Sequence, residues 1–264
     1  LQIARLGLAG AGARMGRALL CGVEMLYGVY AALVFLLCVP PTWALVKLAR
    51  TRRAAGSVTA SALRLYFAVI GVRIRVEGRE NLDAAKPCVM VCNHASYADV
   101  IALCAALGAD YLFVAKQEAL RMPFIGTFMR KLGHLAFDRS DAQARLEQAN
   151  EIEALLRAGE SIFVFPEGTF VAHEGVRPFQ LGAFKAAVEA GKPVVPIALT
   201  GTRHFLRDGT FLPRPARINI RILPALTPSG ESIAEGTPAD WHEMVRLRDA
   251  ARADIAEHCG EPAL

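Results

Sequence analysis

Seven short apolar or alternating runs, separated by helical patterns, leave this chain few architectures. They cover residues 72–77 (VRIRVE), 87–92 (PCVMVC), 111–115 (YLFVA), 134–137 (HLAF), 161–165 (SIFVF), 193–199 (PVVPIAL) and 216–223 (ARINIRIL). Several are unbroken apolar stretches, the pattern of a strand buried on both faces. Helical spacing fits residues 57–70, 97–107, 141–158, 181–190 and 241–258. The clearest is 141–158, where Leu146, Ala149, Ile152 and Leu156 recur along one face, with Ser140 and Gln143 as a capping box and Gly159 as a stop. Strands alternating with helices predict an α/β domain, its sheet mixed but mostly parallel and flanked by helices.

The first part of the chain has a different texture. Between Glu24 and Lys47 lie 22 residues without a charge, about the length of a membrane-spanning helix. Pro40-Pro41 interrupts that run after 15 residues and is expected to end or kink the helix. Two shapes follow for residues 18–46: one tilted span, or a helix–break–helix unit that dips into one leaflet. A buried core helix is the bland reading. Basic residues flank both sides, Arg5, Arg14 and Arg17 before and Lys47, Arg50, Arg52 and Arg53 after, which suits two ends facing acidic head groups. The expected division is residues 1–56 as a membrane-associated helical segment and 57–264 as one domain facing the cytoplasm.

Composition narrows the classes. At 53% hydrophobic and 21% charged residues the chain is not disordered, and a mean hydropathy of +0.31 is high for a purely soluble domain. A net charge of +5 favours anionic partners. The six cysteines stand mostly in apolar runs, with no C-x-x-C pair, and read as reduced, buried side chains in a reducing compartment. No ligand set for a metal is visible. The bases are not gathered on one helix, which counts against nucleic acid.

Two strand ends carry chemistry. The run VMVC gives way to Asn93-His94-Ala95-Ser96-Tyr97-Ala98-Asp99, and in α/β sheets ligands gather where strands end. Asp99 can fold back on the His94 imidazole, fix its tautomer and leave the other nitrogen free to take a proton. By itself a His and an Asp five apart also fit an ordinary junction of loop and helix. The second end is Phe165-Pro166-Glu167-Gly168-Thr169, where Gly168 permits close approach of backbone to a ligand. Glu167 there fits either a ligand-facing turn or a solvated one. Arg139, after one strand and before a helix, is well placed to hold an anion.

In order, HASYAD, FDR, FPEGT and VVPIAL resemble the motifs of the glycerolipid acyltransferase superfamily, of the 1-acylglycerol-3-phosphate O-acyltransferase type. The resemblance covers roughly residues 57–225 and makes 57–264 the catalytic domain. It implies transfer of a fatty acyl group from an acyl thioester, acyl-CoA or acyl carrier protein, to the hydroxyl of a lysophospholipid at the bilayer. No further cofactor is implied. His94 would be the general base and Asp99 its orienting carboxylate, with Asn93, Arg139, Glu167, Gly168, Thr169 and Pro196 around the substrates. An imidazole, ordinarily titrating near about 6.5, suits that task. Where many members continue the E-G-T with Arg-Ser, this chain has Phe170-Val171. The acceptor phosphate then falls to Arg139, Arg177 or another base, or the acceptor is a different lysolipid.

Other readings are an inactive lipid-binding protein, against which the intact His94, Asp99, Glu167 and Arg139 speak, and a thiol mechanism through Cys92. A serine hydrolase lacks its G-x-S-x-G elbow, and Ser96 stands too near His94 to serve as a nucleophile.

Overall fold

The computed structural model describes residues 2–108, 110–137, 142–170, 173–229 and 240–264. All seven expected strands form: β1 (Arg73–Glu77), β2 (Val89–Cys92), β3 (Leu112–Lys116), β4 (Leu135–Phe137), β5 (Ile162–Val164), β6 (Val194–Thr200) and β7 (Arg217–Ile222). They make one sheet in the order β1-β7-β6-β2-β5-β3-β4. Every pairing is parallel except β6 with β7. The helices are α1 (Gln2–Leu48), α2 (Arg52–Val69), α3 (Arg79–Ala85), α4 (Ala98–Leu107), α5 (Ile125–Leu132), α6 (Ala142–Arg157), α7 (Gly182–Ala190), α8 (Thr202–Phe205) and α9 (Trp241–Cys259). A short 3-10 turn, Gln117–Arg121, joins β3 to α5.

The unbroken apolar run of β2 has a simple cause. Met90 and Cys92 face one core with Tyr66, Phe67 and Leu103 of α2 and α4. Val89 and Val91 face a second core, under Ile152, Phe184 and Leu247 of α6, α7 and α9. Successive side chains of a strand point to opposite faces, so a strand between two helical layers must be apolar at every position. Each side chain of this kind contributes roughly 1.5–3 kcal/mol on full burial. β7 lies nearer the sheet's edge and alternates instead: Ile218, Ile220 and Ile222 are buried while Arg217, Asn219 and Arg221 are exposed. The elements that the sequence reading missed, α3, α5, α8 and the 3-10 turn, are too short to show a helical period.

Of the end or kink expected at Pro40-Pro41, the end does not occur; the helix runs through it. Thr42 donates its hydroxyl to the Cys38 carbonyl at 2.7 Å there. A proline inside a helix costs about 3 kcal/mol, and packing along the helix offsets it. Tyr27 and Tyr30 donate to the Ile70 and Val69 carbonyls at the end of α2, both at 2.9 Å. Phe35 meets Tyr66, Trp43 meets Phe124, and Val46 packs with Ala55 and Leu132. This register makes α1 and α2 antiparallel. The chain reverses at residues 49–51, where Thr51 caps α2 by accepting from the Ala54 N–H. Residue 56 therefore falls inside α2, a helix that packs on both α1 and α4.

The opposite side of α1 is bare. Leu26, Leu33, Leu36, Leu37, Leu45 and Leu48 are exposed, and Cys21–Leu48 is long and apolar enough to cross a membrane. At its start Glu24 pairs with Arg214, and Gly28 lies under Leu212 and Pro213, where a side chain would not fit.

One buried contact carries a pH signature. His134 accepts the Phe113 N–H on Nδ1 at 3.2 Å, and its imidazole is pushed down to about 4 by burial and by the nearby Arg52. Only the neutral ring can accept, so this contact stabilises the fold above about pH 6.5 and is lost as pH falls toward 4. The shift corresponds to roughly 3 kcal/mol. The expected result is a Tm that drops more steeply from pH 6.5 to 4 in the natural protein than in His134→Phe. Parallel curves would refute it.

Candidate active site

β2 and β5 are parallel neighbours, so the loops that follow them open on the same edge of the sheet. Asn93 ends β2 and acts as a strut. Its amide donates to the Leu199 carbonyl at 2.9 Å and accepts the Leu199 N–H at 2.8 Å. The side chain thus mimics one more residue of backbone against β6 and fixes where the next residue begins. Both ends of that amide are engaged within the fold. Pro196, another expected substrate residue, lies buried inside β6 opposite Val91, its carbonyl accepting from the Leu223 N–H.

His94 follows the strut. Its Nδ1 lies 2.8 Å from Oδ2 of Asp99, in the first turn of α4. The same oxygen accepts the N–H groups of Ala95 at 2.7 Å and Ser96 at 3.0 Å. Asp99 is fully buried, and a buried carboxylate needs such donors. With the carboxylate accepting, Nδ1 carries the proton and Nε2 is left to act as a base. Ser96 is no nucleophile. It is fully buried, donates its hydroxyl to the Leu206 carbonyl at 2.7 Å and caps α4 by accepting from Ala98. Cys92 is fully buried in the core beneath α2 and α4, which also pushes its thiol above the ordinary range.

Glu167 joins the two strand ends. Its Oε1 accepts the backbone N–H of His94 at 2.8 Å, and its Oε2 accepts that of Arg177 at 3.0 Å. The side chain is buried, and burial raises its pKa despite those two hydrogen bonds. Of the two readings open from sequence, a solvated glutamate is ruled out. Gly168 has φ +78°, a conformation that favours glycine, and its N–H closes the turn on the Phe165 carbonyl at 3.0 Å. Thr169 is exposed, and its carbonyl accepts from the Arg177 guanidinium at 3.3 Å. Arg139 lies outside the described residues, as do Ser140 of the expected capping box, Asp141 at the start of that helix, and Val171.

Aromatic rings enclose the imidazole. Phe165 stacks on it with centroids 4.1 Å apart, and Phe170 meets it edge-on at 4.8 Å. The sequence reading did not find this enclosure, nor the Arg177 backbone as a partner of Glu167. The only local signal was a phenylalanine on either side of the P-E-G-T. The assembly offers a held imidazole beside an apolar wall.

Comparisons with known proteins relate the chain to acyltransferases. Residues 73–200 match the protein-family model described as Acyltransferase. A chloroplastic 1-acyl-sn-glycerol-3-phosphate acyltransferase of Brassica napus is 37% identical over 51% of this chain and 39% of its own. A 1-acyl-sn-glycerol-3-phosphate acyltransferase of Chlamydomonas reinhardtii is 35% identical over 70% of this chain and 52% of its own. That of Pseudomonas aeruginosa is 33% identical over 64% and 65%. This chain thus spans about two fifths to two thirds of the length of these relatives. The crystal structure of the 1-acyl-sn-glycerophosphate acyltransferase PlsC from Thermotoga maritima shares the fold, with a TM-score of 0.71 at 22% identity over 89% of this chain and 95% of its own. With its ordered motifs on the strand ends of that fold, the chain carries an acyltransferase domain over residues 73–200 and is similar to 1-acyl-sn-glycerol-3-phosphate acyltransferases.

Proposed function

We propose that the protein transfers a fatty acyl group from a thioester, acyl-CoA or acyl carrier protein, to the free hydroxyl of 1-acylglycerol-3-phosphate, giving phosphatidic acid. The observation that carries this reading is the His94–Asp99 pair at 2.8 Å, its carboxylate buried and its loop tied by Glu167 to the end of β5. An alcohol is a weak nucleophile at neutral pH. His94 Nε2 takes the hydroxyl proton as oxygen attacks the thioester carbonyl, and Asp99 stabilises the imidazolium that forms. The C–O bond forms, the C–S bond breaks, and the proton passes on to the departing thiolate. The acceptor hydroxyl stands where a serine would stand in a triad, so no acyl-enzyme is required.

The Arg177 guanidinium, at the Thr169 carbonyl, is a cation available to the acceptor phosphate. Phe170 favours a second reading, a different lysolipid acceptor, because it sets an apolar ring beside the base. A panel of lysolipids separates the two.

Both acyl chains reside in a bilayer, and α1 supplies the contact. α1 is held on one side by α2 and α5 and by Leu212, and is apolar and exposed on the other. That arrangement suits a helix lying in one leaflet with the catalytic domain at its surface rather than a free span.

Two variants test the chemistry. In His94→Ala, turnover measured as acylated lipid formed should fall at least about 100-fold, the low end for loss of a general base. Near-normal turnover would sink the assignment. Asp99→Asn should cost on the order of 10⁴-fold through the wrong tautomer, as in a serine-protease triad, with KM for the acceptor little changed; a loss confined to KM would place Asp99 in binding instead.

A further inference from the structure

The rings around His94 form a graded row that the proton transfer itself does not use. Phe165 is buried, and continues inward to Phe163 and Phe113. Phe170 is half-buried, and on its outer side meets Tyr97 with centroids 4.6 Å apart and planes at 90°. Tyr97 is 70% exposed. The His94 side chain, behind this row, keeps only 16% of its surface.

The chemistry of the proposed reaction gives that row a purpose, and the inference rests on that reading. A base able to take the proton of a lipid hydroxyl can equally take one from water. Attack by water breaks the same C–S bond and passes its proton by the same route, but it forms a free fatty acid and wastes the thioester. Discrimination between two oxygen nucleophiles must then come from which of them reaches the base. A phenyl ring offers water no hydrogen bond, whereas it packs well against an acyl chain.

We propose that Phe170, backed by Tyr97, is the water-excluding wall of this site and sets the partition between acyl transfer and thioester hydrolysis. Phe165 belongs to the core side and holds the imidazole flat. Phe170 is the ring between the imidazole and the exposed surface, and so a positioning and specificity residue rather than a catalytic one.

The test uses purified protein in detergent micelles with an acyl-CoA and lysophosphatidic acid. It measures thiol released, acylated lipid and free fatty acid in the same tube. In the natural protein thiol release should depend on the acceptor. In Phe170→Ala the ratio of hydrolysis to transfer should rise by roughly tenfold, which is about 1.4 kcal/mol between the two barriers. Phe170→Leu, which keeps an apolar wall, should return it most of the way. Both products falling together in Phe170→Ala, with their ratio unchanged, would overturn the proposal. Should that variant fail to fold, Tyr97→Ala at its exposed position reads the same wall, and an unchanged ratio there would equally overturn it. A natural protein that releases no acceptor-dependent thiol would instead refute the acyl-transfer reading on which this rests.

Discussion

The site depends on one buried carboxylate more than on any other group. Glu167 accepts two backbone N–H groups, one from His94 after β2 and one from Arg177 in the segment before α7. The loop after β2 is thereby fixed to the turn after β5, 73 residues on, and to the segment ten residues beyond that turn. An apolar residue at that position would leave two buried donors unpaired, each costing about 1–3 kcal/mol. It would also free the loop that aims the base. Asp99 performs the complementary task within that loop, gathering the ring and two N–H groups on one oxygen.

Beneath the two carboxylates lies the two-faced sheet. β2 and β5 sit at its centre, clamped by cores on both sides, and their ends are the most rigid places from which to project a base. Pairing of Asn93 with Leu199 adds β6 to that frame. A family-level description of the motifs as catalytic and substrate-binding blocks hides this division of labour. Asn93 and Pro196 are engaged within the sheet, Glu167 ties the end of β5 to the loop after β2, and Asp99 holds the His94 ring.

The hairpin of α1 and α2 shows tertiary structure overriding a local rule. Pro40-Pro41 predicts an end or a kink, and the helix continues through it. Here the helix is held by tyrosine hydroxyls, ring contacts and the small cluster around Val46. The reversal moves to residues 49–51, where Thr51 can cap the next helix. The same hairpin presents the apolar residues Leu26, Leu33, Leu36, Leu37 and Leu45 outward.

What the sequence determined by itself is whatever depends on local pattern. Strand positions follow from apolar runs, the long helices from their period, and the candidate site from the polar residues around His94 and Glu167 that follow two strands. Short helices such as α3 and α5 escaped because one or two turns carry no readable period. Only the tertiary structure decided that β2 and β5 are neighbours, that Arg177 completes Glu167, and that Phe165 and Phe170 enclose the imidazole. Those contacts join residues up to 76 positions apart, counting from His94 to Phe170. Strand order arises from which apolar faces pack best together, an energy summed over the whole sheet and written in no single segment.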